Sequence, residues 1–181
     1  MTKVILSGFG PFGTVEHNPS ATIAQKAELH AGLDVERYTL PVTPEACDKF
    51  LAEILPKQPD FLLCFGVAAN QNKVCLEKTA RNILKYSEEE KPIDPQGVES
   101  IHTSLSRLEE MAAASKKAGL PACVSQDAGN YICNYLYYKA LMVAPSSTSV
   151  LFVHVPLPYE RLSLEKMLDI PQILLAGTGG K

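Results

Sequence analysis

The sequence predicts an α/β fold: a three-layer α/β/α sandwich with a twisted, mainly parallel (mixed) sheet and helices on both faces. Two observations carry this. Several short runs, "KVILSG", "PDFLLCFG" and "SVLFVHVP", are almost continuously apolar, the pattern of strands buried on both faces. Between them lie stretches of helical pattern, two of them opening on cap residues, so strands and helices alternate along the chain. No internal repeat, linker or low-complexity tract interrupts the alternation, and residues 1–181 read as one domain.

The elements follow in order. "KVILSG" is a buried strand ending in glycine. "NPSATIAQKAEL" is a helix with Asn18 as N-cap and Pro19 at its first position. "DVERYTLPV" alternates as a half-exposed strand does. "TPEACDKFLAEIL" is an amphipathic helix with Thr43 as cap and Pro44 directly behind the cap. "PDFLLCFG" is a second buried strand, and "KVCLEKTARNIL" reads as a further strand with weaker alternation. "SEEEKPIDPQG", residues 87–97, is loop by its acids, prolines and glycine. A long helix is expected over 99–118, stopped by Gly119. "ACVSQ" and "SVLFVHVP" are two more strands, with a helix containing Cys133 between them. A last helix over 162–175 precedes the tail "GTGGK".

Composition narrows the function classes. A formal charge of −3 gives no electrostatic reason to expect nucleic acid or an anionic membrane as partner. The longest apolar run, "FLLCFGVAA", is about half the length of a membrane span. Five cysteines (Cys47, Cys64, Cys75, Cys123, Cys133) without a CxxC pair suit neither a disulfide scaffold nor a structural zinc site. Free thiols of this kind point to the reducing cytoplasm.

"SGFGPFG" spells GxGxxG after a strand, with Asp34 and Glu36 roughly where a ribose-binding acid would be sought. In a dinucleotide fold, however, the glycines open the helix, so that the pyrophosphate meets its N-terminus. Here four residues separate Gly13 from the cap Asn18, and Pro11, Phe9 and Phe12 occupy the loop. Two aromatic rings suit a flat, mostly apolar ligand better than a phosphate. Equally, both rings could belong to the core.

Three residues carry candidate chemistry. Cys133 stands near the start of a helix, where unpaired N–H groups favour a thiolate; the plain alternative is a small buried apolar residue. His154 closes an apolar strand, and ligands of open α/β sheets collect beyond the carboxyl ends of strands; a satisfied structural histidine is the alternative. The other histidines are weaker candidates, His30 and His102 on helix surfaces and His17 in the first loop. Glu77 lies in a strand-like stretch, where glutamate either faces water or has a purpose.

Together these residues resemble the pyroglutamyl peptidases (pyrrolidone-carboxylate peptidases). "GFGPFG" followed by "NPS" resembles the family's N-terminal signature. "GVA" at 66–68, with Glu77 and "ARN" at 80–82, resembles its glutamate block. "AGNYICN", with Tyr137 and Tyr138 after it, resembles its cysteine block, and "FVHVP" its histidine block. The blocks occur in the family's order and span residues 3–158. The resemblance implies that Cys133 is the nucleophile, His154 the general base and then acid, and Glu77 the group that orients the imidazole. It implies that Phe9 and Phe12 hold a pyrrolidone ring, with Asn18 and Val67 bordering the pocket. It further implies removal of N-terminal 5-oxoproline from peptides without metal or cofactor, and a homo-oligomer, a tetramer on the family pattern. The sequence departs at Ala69-Asn70-Gln71, where bacterial members often carry Gly-Gly-Arg, and over 85–96, where Ser87 stands in place of an arginine. Two other readings stay open: a non-catalytic binder of pyroglutamyl-capped peptides, and a redox-sensing thiol protein.

Overall fold

Each continuously apolar run becomes a strand with its side chains buried on both faces. β1 (Thr2–Phe9), β3 (Phe61–Val67) and β8 (Ser149–Val155) lie parallel and adjacent at the centre of the sheet. β2 (Leu33–Leu40), the alternating segment, pairs parallel with β1 as an edge strand. The structure is a computed structural model that describes residues 1–176, so the tail read at 177–181 lies outside the described residues.

Beyond β8 the sheet changes direction. β4 (Val74–Glu77) runs antiparallel to β8, and β7 (Ala122–Ser125) runs parallel to β4, giving the strand order β2-β1-β3-β8-β4-β7. The mainly parallel, mixed sheet is therefore present. The segment read as one strand over 73–84 is two. After Glu77 the chain leaves the main sheet, and β5 (Thr79–Arg81) pairs antiparallel with β6 (Ser100–His102).

That pairing corrects a second expectation. Residues 99–118 are not one helix, because 100–102 are claimed by β5 and Thr103 turns inward to donate its hydroxyl to the Val150 carbonyl at 2.6 Å. The helix is confined to α3 (Leu108–Lys117), and His102 sits on a strand with its ring 2.8 Å from the Thr79 hydroxyl. His30 likewise falls in the loop after α1 (Pro19–Lys26). The last helix is divided into α5 (Leu164–Met167), capped by Ser163, and α6 (Ile170–Ala176). Pro171, which lacks an N–H and cannot continue a preceding turn, marks the second start.

Helices cover both faces. α1, α3, α5 and α6 pack on the side of Val4, Leu6, Phe65, Leu151 and Val153. α2 (Pro44–Ile54) and α4 (Ile132–Val143) pack on the side of Ile5, Leu62, Cys64 and Phe152. The predicted caps are in place, with Asn18 Oδ1 accepting from Ser20 N at 3.1 Å and Thr43 Oγ1 from Ala46 N at 3.2 Å. Gly8 is required where α1 meets β1: a Cβ there would collide with the Ser20 carbonyl.

Candidate active site

The parallel strands β1, β3 and β8 end at one edge of the sheet, and a pocket of about 300 Å³ opens there. His154, the penultimate residue of β8, and Gly66 of β3 are register partners. On the other side β8 meets β4, with His154 opposite Cys75 and Phe152 opposite Glu77. His154 and Glu77 thus occupy diagonal positions on one face of an antiparallel pair, within reach of long side chains. His154 Nδ1 and Glu77 Oε1 are 2.8 Å apart, and both residues are buried.

Glu77 is only 2 % exposed, so facing water is not its role. Its Oε2 is buried without a hydrogen-bond partner among the described residues. A carboxylate so placed is costly unless a cation offsets it, and the imidazole is the group that can supply one. Burial alone would lower the His154 pKa; interactions with Cys133 and Glu77 outweigh it and hold the imidazole well above its ordinary value. The carboxylate holds Nδ1 and so fixes the ring, leaving Nε2 as the nitrogen for the Cys133 thiol.

Cys133 is the second residue of α4, half-buried, and it lines the same pocket as His154. Its sulfur occupies space left by Gly66: a Cβ on that glycine would stand 2.6 Å from Sγ. The cap residue Tyr131 makes no side-chain cap bond, so the first N–H groups of α4 remain available at the thiol. The other thiols differ. Burial pushes Cys64 and Cys75 up to about 12, and Cys47 is raised further by the same cause. Cys75 and Cys123, register partners on β4 and β7, have their sulfurs 3.5 Å apart.

Other residues of the glutamate and cysteine blocks hold these groups in place. Tyr137, fully buried, donates its hydroxyl to the Glu77 carbonyl at 2.7 Å. The buried Asn134 amide accepts the Arg81 N–H and donates to the carbonyls of Arg81 and Ile83, which ties α4 to β5. Arg81 Nε donates to Asp127 Oδ1 at 2.9 Å, and the same oxygen receives the Gly129 N–H. The loop leading into α4 is thereby fixed.

Phe9, Phe12, Asn18 and Val67 all line the pocket. Phe9 is 2 % exposed and packs in the core as well as lining the pocket. Asn18 is committed to its loop: its amide donates to the Gly10 carbonyl and accepts from Ser20 N and Oγ. These bonds fix its place in the wall. Asn70 and Gln71, where the sequence departs from the family pattern, are lining residues too. Asp127 to Tyr131, most of them within the cysteine block, form a further part of the wall, whereas Val42 lines the pocket with no sequence signal to mark it. Among the described residues no group of three or more His, Cys, Asp or Glu side chains is placed to hold a metal ion.

A thiol at a helix start, facing an imidazole held by a buried carboxylate, is the equipment of a thiol-dependent hydrolase on an α/β/α scaffold. The comparisons with known proteins agree on the class. The family model described as "Pyroglutamyl peptidase" matches residues 2–176. A pyrrolidone-carboxylate peptidase 2 of Streptococcus pneumoniae is 33 % identical over 174 residues, covering 88 % of this chain and 80 % of that one. The crystal structure of pyrrolidone carboxyl peptidase from Thermus thermophilus superposes with a TM-score of 0.84 at 28 % identity, covering 95 % and 98 % of the two chains. That from Fervidobacterium islandicum gives 0.87 at 26 % identity, covering 98 % of each. The chain belongs to the pyroglutamyl peptidase family of cysteine peptidases.

Proposed function

We propose that this chain hydrolyses the bond after an N-terminal pyroglutamyl residue of a peptide, with Cys133 as nucleophile, His154 as base and acid, and Glu77 holding the imidazole. The observation that carries the reading is the convergence, in one pocket, of a half-exposed thiol and a buried His154–Glu77 pair. His154 takes the thiol proton, and the thiolate attacks the pyroglutamyl carbonyl. The resulting oxyanion is met by the free N–H groups at the start of α4. Collapse expels the peptide amine, which the imidazolium protonates. A water molecule, deprotonated by His154, then cleaves the thioester and releases 5-oxoproline.

Ring recognition follows from the absence of charge. A cyclised N-terminus carries no ammonium group, so its pocket needs flat apolar walls, which Phe9, Phe12 and Val67 supply. This chemistry calls for no metal or cofactor. We place the protein in the cytoplasm, where a half-exposed thiol stays reduced, as a single domain in a homo-oligomer, a tetramer on the family pattern. No helix among the described residues is long and apolar enough to cross a membrane.

The test is release of the chromophore from a 5-oxoprolyl amide and from the matching prolyl amide. Cleavage of the first and poor cleavage of the second is expected, because proline lacks the lactam carbonyl and brings a charged amine. Efficient prolyl cleavage would count against the pocket, and no cleavage of either would return the chain to a binding role.

A further inference from the structure

The pocket runs from buried residues to exposed ones; at its exposed side Tyr131 lines it, and Tyr86, outside the lining, stacks on Tyr131, and the reaction above uses neither ring. Phe9 and Asn18 are almost wholly buried, whereas Tyr131, two residues before the thiol and also lining the pocket, is 41 % exposed. Against Tyr131 stands Tyr86, 46 % exposed, its ring stacked at a centroid distance of 5.8 Å and an interplanar angle of 28°. Large aromatic surface left facing water beside a nucleophile is surface held ready for a ligand.

The segment that presents Tyr86 is built against the site. Leu84 and Lys91 exchange backbone hydrogen bonds of 2.7 and 2.9 Å, which folds 84–91 into a small hairpin. Lys85 N donates to the Asn130 carbonyl at 2.6 Å, and Asn130 Nδ2 donates to Glu90 Oε2 at 3.0 Å. The hairpin is thus fastened to the residue preceding Tyr131. All of it but Leu84 falls in 85–96, the stretch where the sequence departs from the family pattern.

We infer that Tyr86 and Tyr131 form the subsite for the side chain that follows the pyroglutamyl ring, and that this subsite favours aromatic residues. The inference rests on the proposed function and deepens it. With the ring at the buried end and its carbonyl at Cys133, the leaving peptide runs outward past Tyr131. A planar side chain there extends the existing stack, and two tyrosines offer it rigid area at little entropic cost.

The experiment compares kcat/KM for two peptides, pyroglutamyl-phenylalanyl and pyroglutamyl-alanyl, otherwise identical, with wild type, Tyr86→Ala and Tyr86→Phe. Wild type is expected to prefer the phenylalanyl peptide. Tyr86→Ala should reduce that preference about 5-fold, chiefly through KM, the size expected for losing one aromatic contact. Tyr86→Phe should retain it, since the ring and not the hydroxyl makes the stack. An unchanged preference in Tyr86→Ala, or an equal loss on both peptides, would overturn the subsite while leaving the peptidase reading intact. Failure of wild type to cleave either peptide would overturn both.

Discussion

Gly66→Ala perturbs the candidate site without touching any of its three chemical groups. The new Cβ would stand 2.6 Å from Cys133 Sγ and 2.9 Å from Phe152 Cζ. Ordinary carbon contacts lie near 3.5–4.0 Å, so the sulfur must retreat by roughly 1 Å or the Phe152 ring must turn. Phe152 is fully buried beside Tyr137, with ring centroids 5.9 Å apart, and has little room to move. The displacement therefore falls mainly on the thiol. A misplacement of about 1 Å at a reacting atom costs on the order of 100-fold in rate, and the overpacking itself costs about 1–3 kcal/mol of stability. The assay is kcat/KM on a 5-oxoprolyl amide at 25 °C, with thermal unfolding followed in parallel. A large loss of turnover in a protein still folded at the assay temperature is expected. Turnover within about 2-fold of wild type, on the same principle that geometry sets rate, would show that the sulfur does not work from where it lies.

Three further outcomes follow from the same geometry. Alkylation should be fastest at Cys133 and slowed by a 5-oxoproline analogue, while Cys47, Cys64 and Cys75, whose thiols burial holds protonated, should react last; peptide mapping reads this directly. Glu77→Gln should lower the His154 pKa, because it removes a charge that raises it. The imidazolium is then lost at lower pH, so the basic limb of the kcat/KM–pH profile should move down, and an unmoved profile with full activity would exclude Glu77 from the site. Phe12→Ala should cost about 2–4 kcal/mol in kcat/KM through lost ring contact, with the circular dichroism spectrum unchanged.

Local signals in the sequence were reliable where local physics decides. The caps at Asn18 and Thr43 and the buried strands β1, β3 and β8 formed as their residues require, and His154 lies at the strand end its position predicted. The failures lie where distant pairing decides. Ile101, Leu105 and Leu108 have helical spacing, yet Ser100–His102 pairs with β5 and Thr103 bonds to β8, and no window around residue 100 records those partners. The same holds for the turn after Glu77, which ends β4 and sends β5 to another sheet. Glu77 illustrates the limit for the site: a single acid in a strand reads as solvent-facing until the antiparallel crossing of β4 and β8 sets it beside His154. The aromatic pair at the mouth was out of reach for the same reason, since Tyr86 and Tyr131 are far apart in sequence.

Acid quenching of the protein during turnover of a 5-oxoprolyl amide, followed by mass mapping of its cysteine peptides, tests the central claim most directly. The thioester proposed here predicts a pyroglutamyl group on the peptide carrying Cys133, and no adduct and no turnover in Cys133→Ser. A pyroglutamyl group on Cys123 or another cysteine, or undiminished turnover by Cys133→Ser, would contradict it.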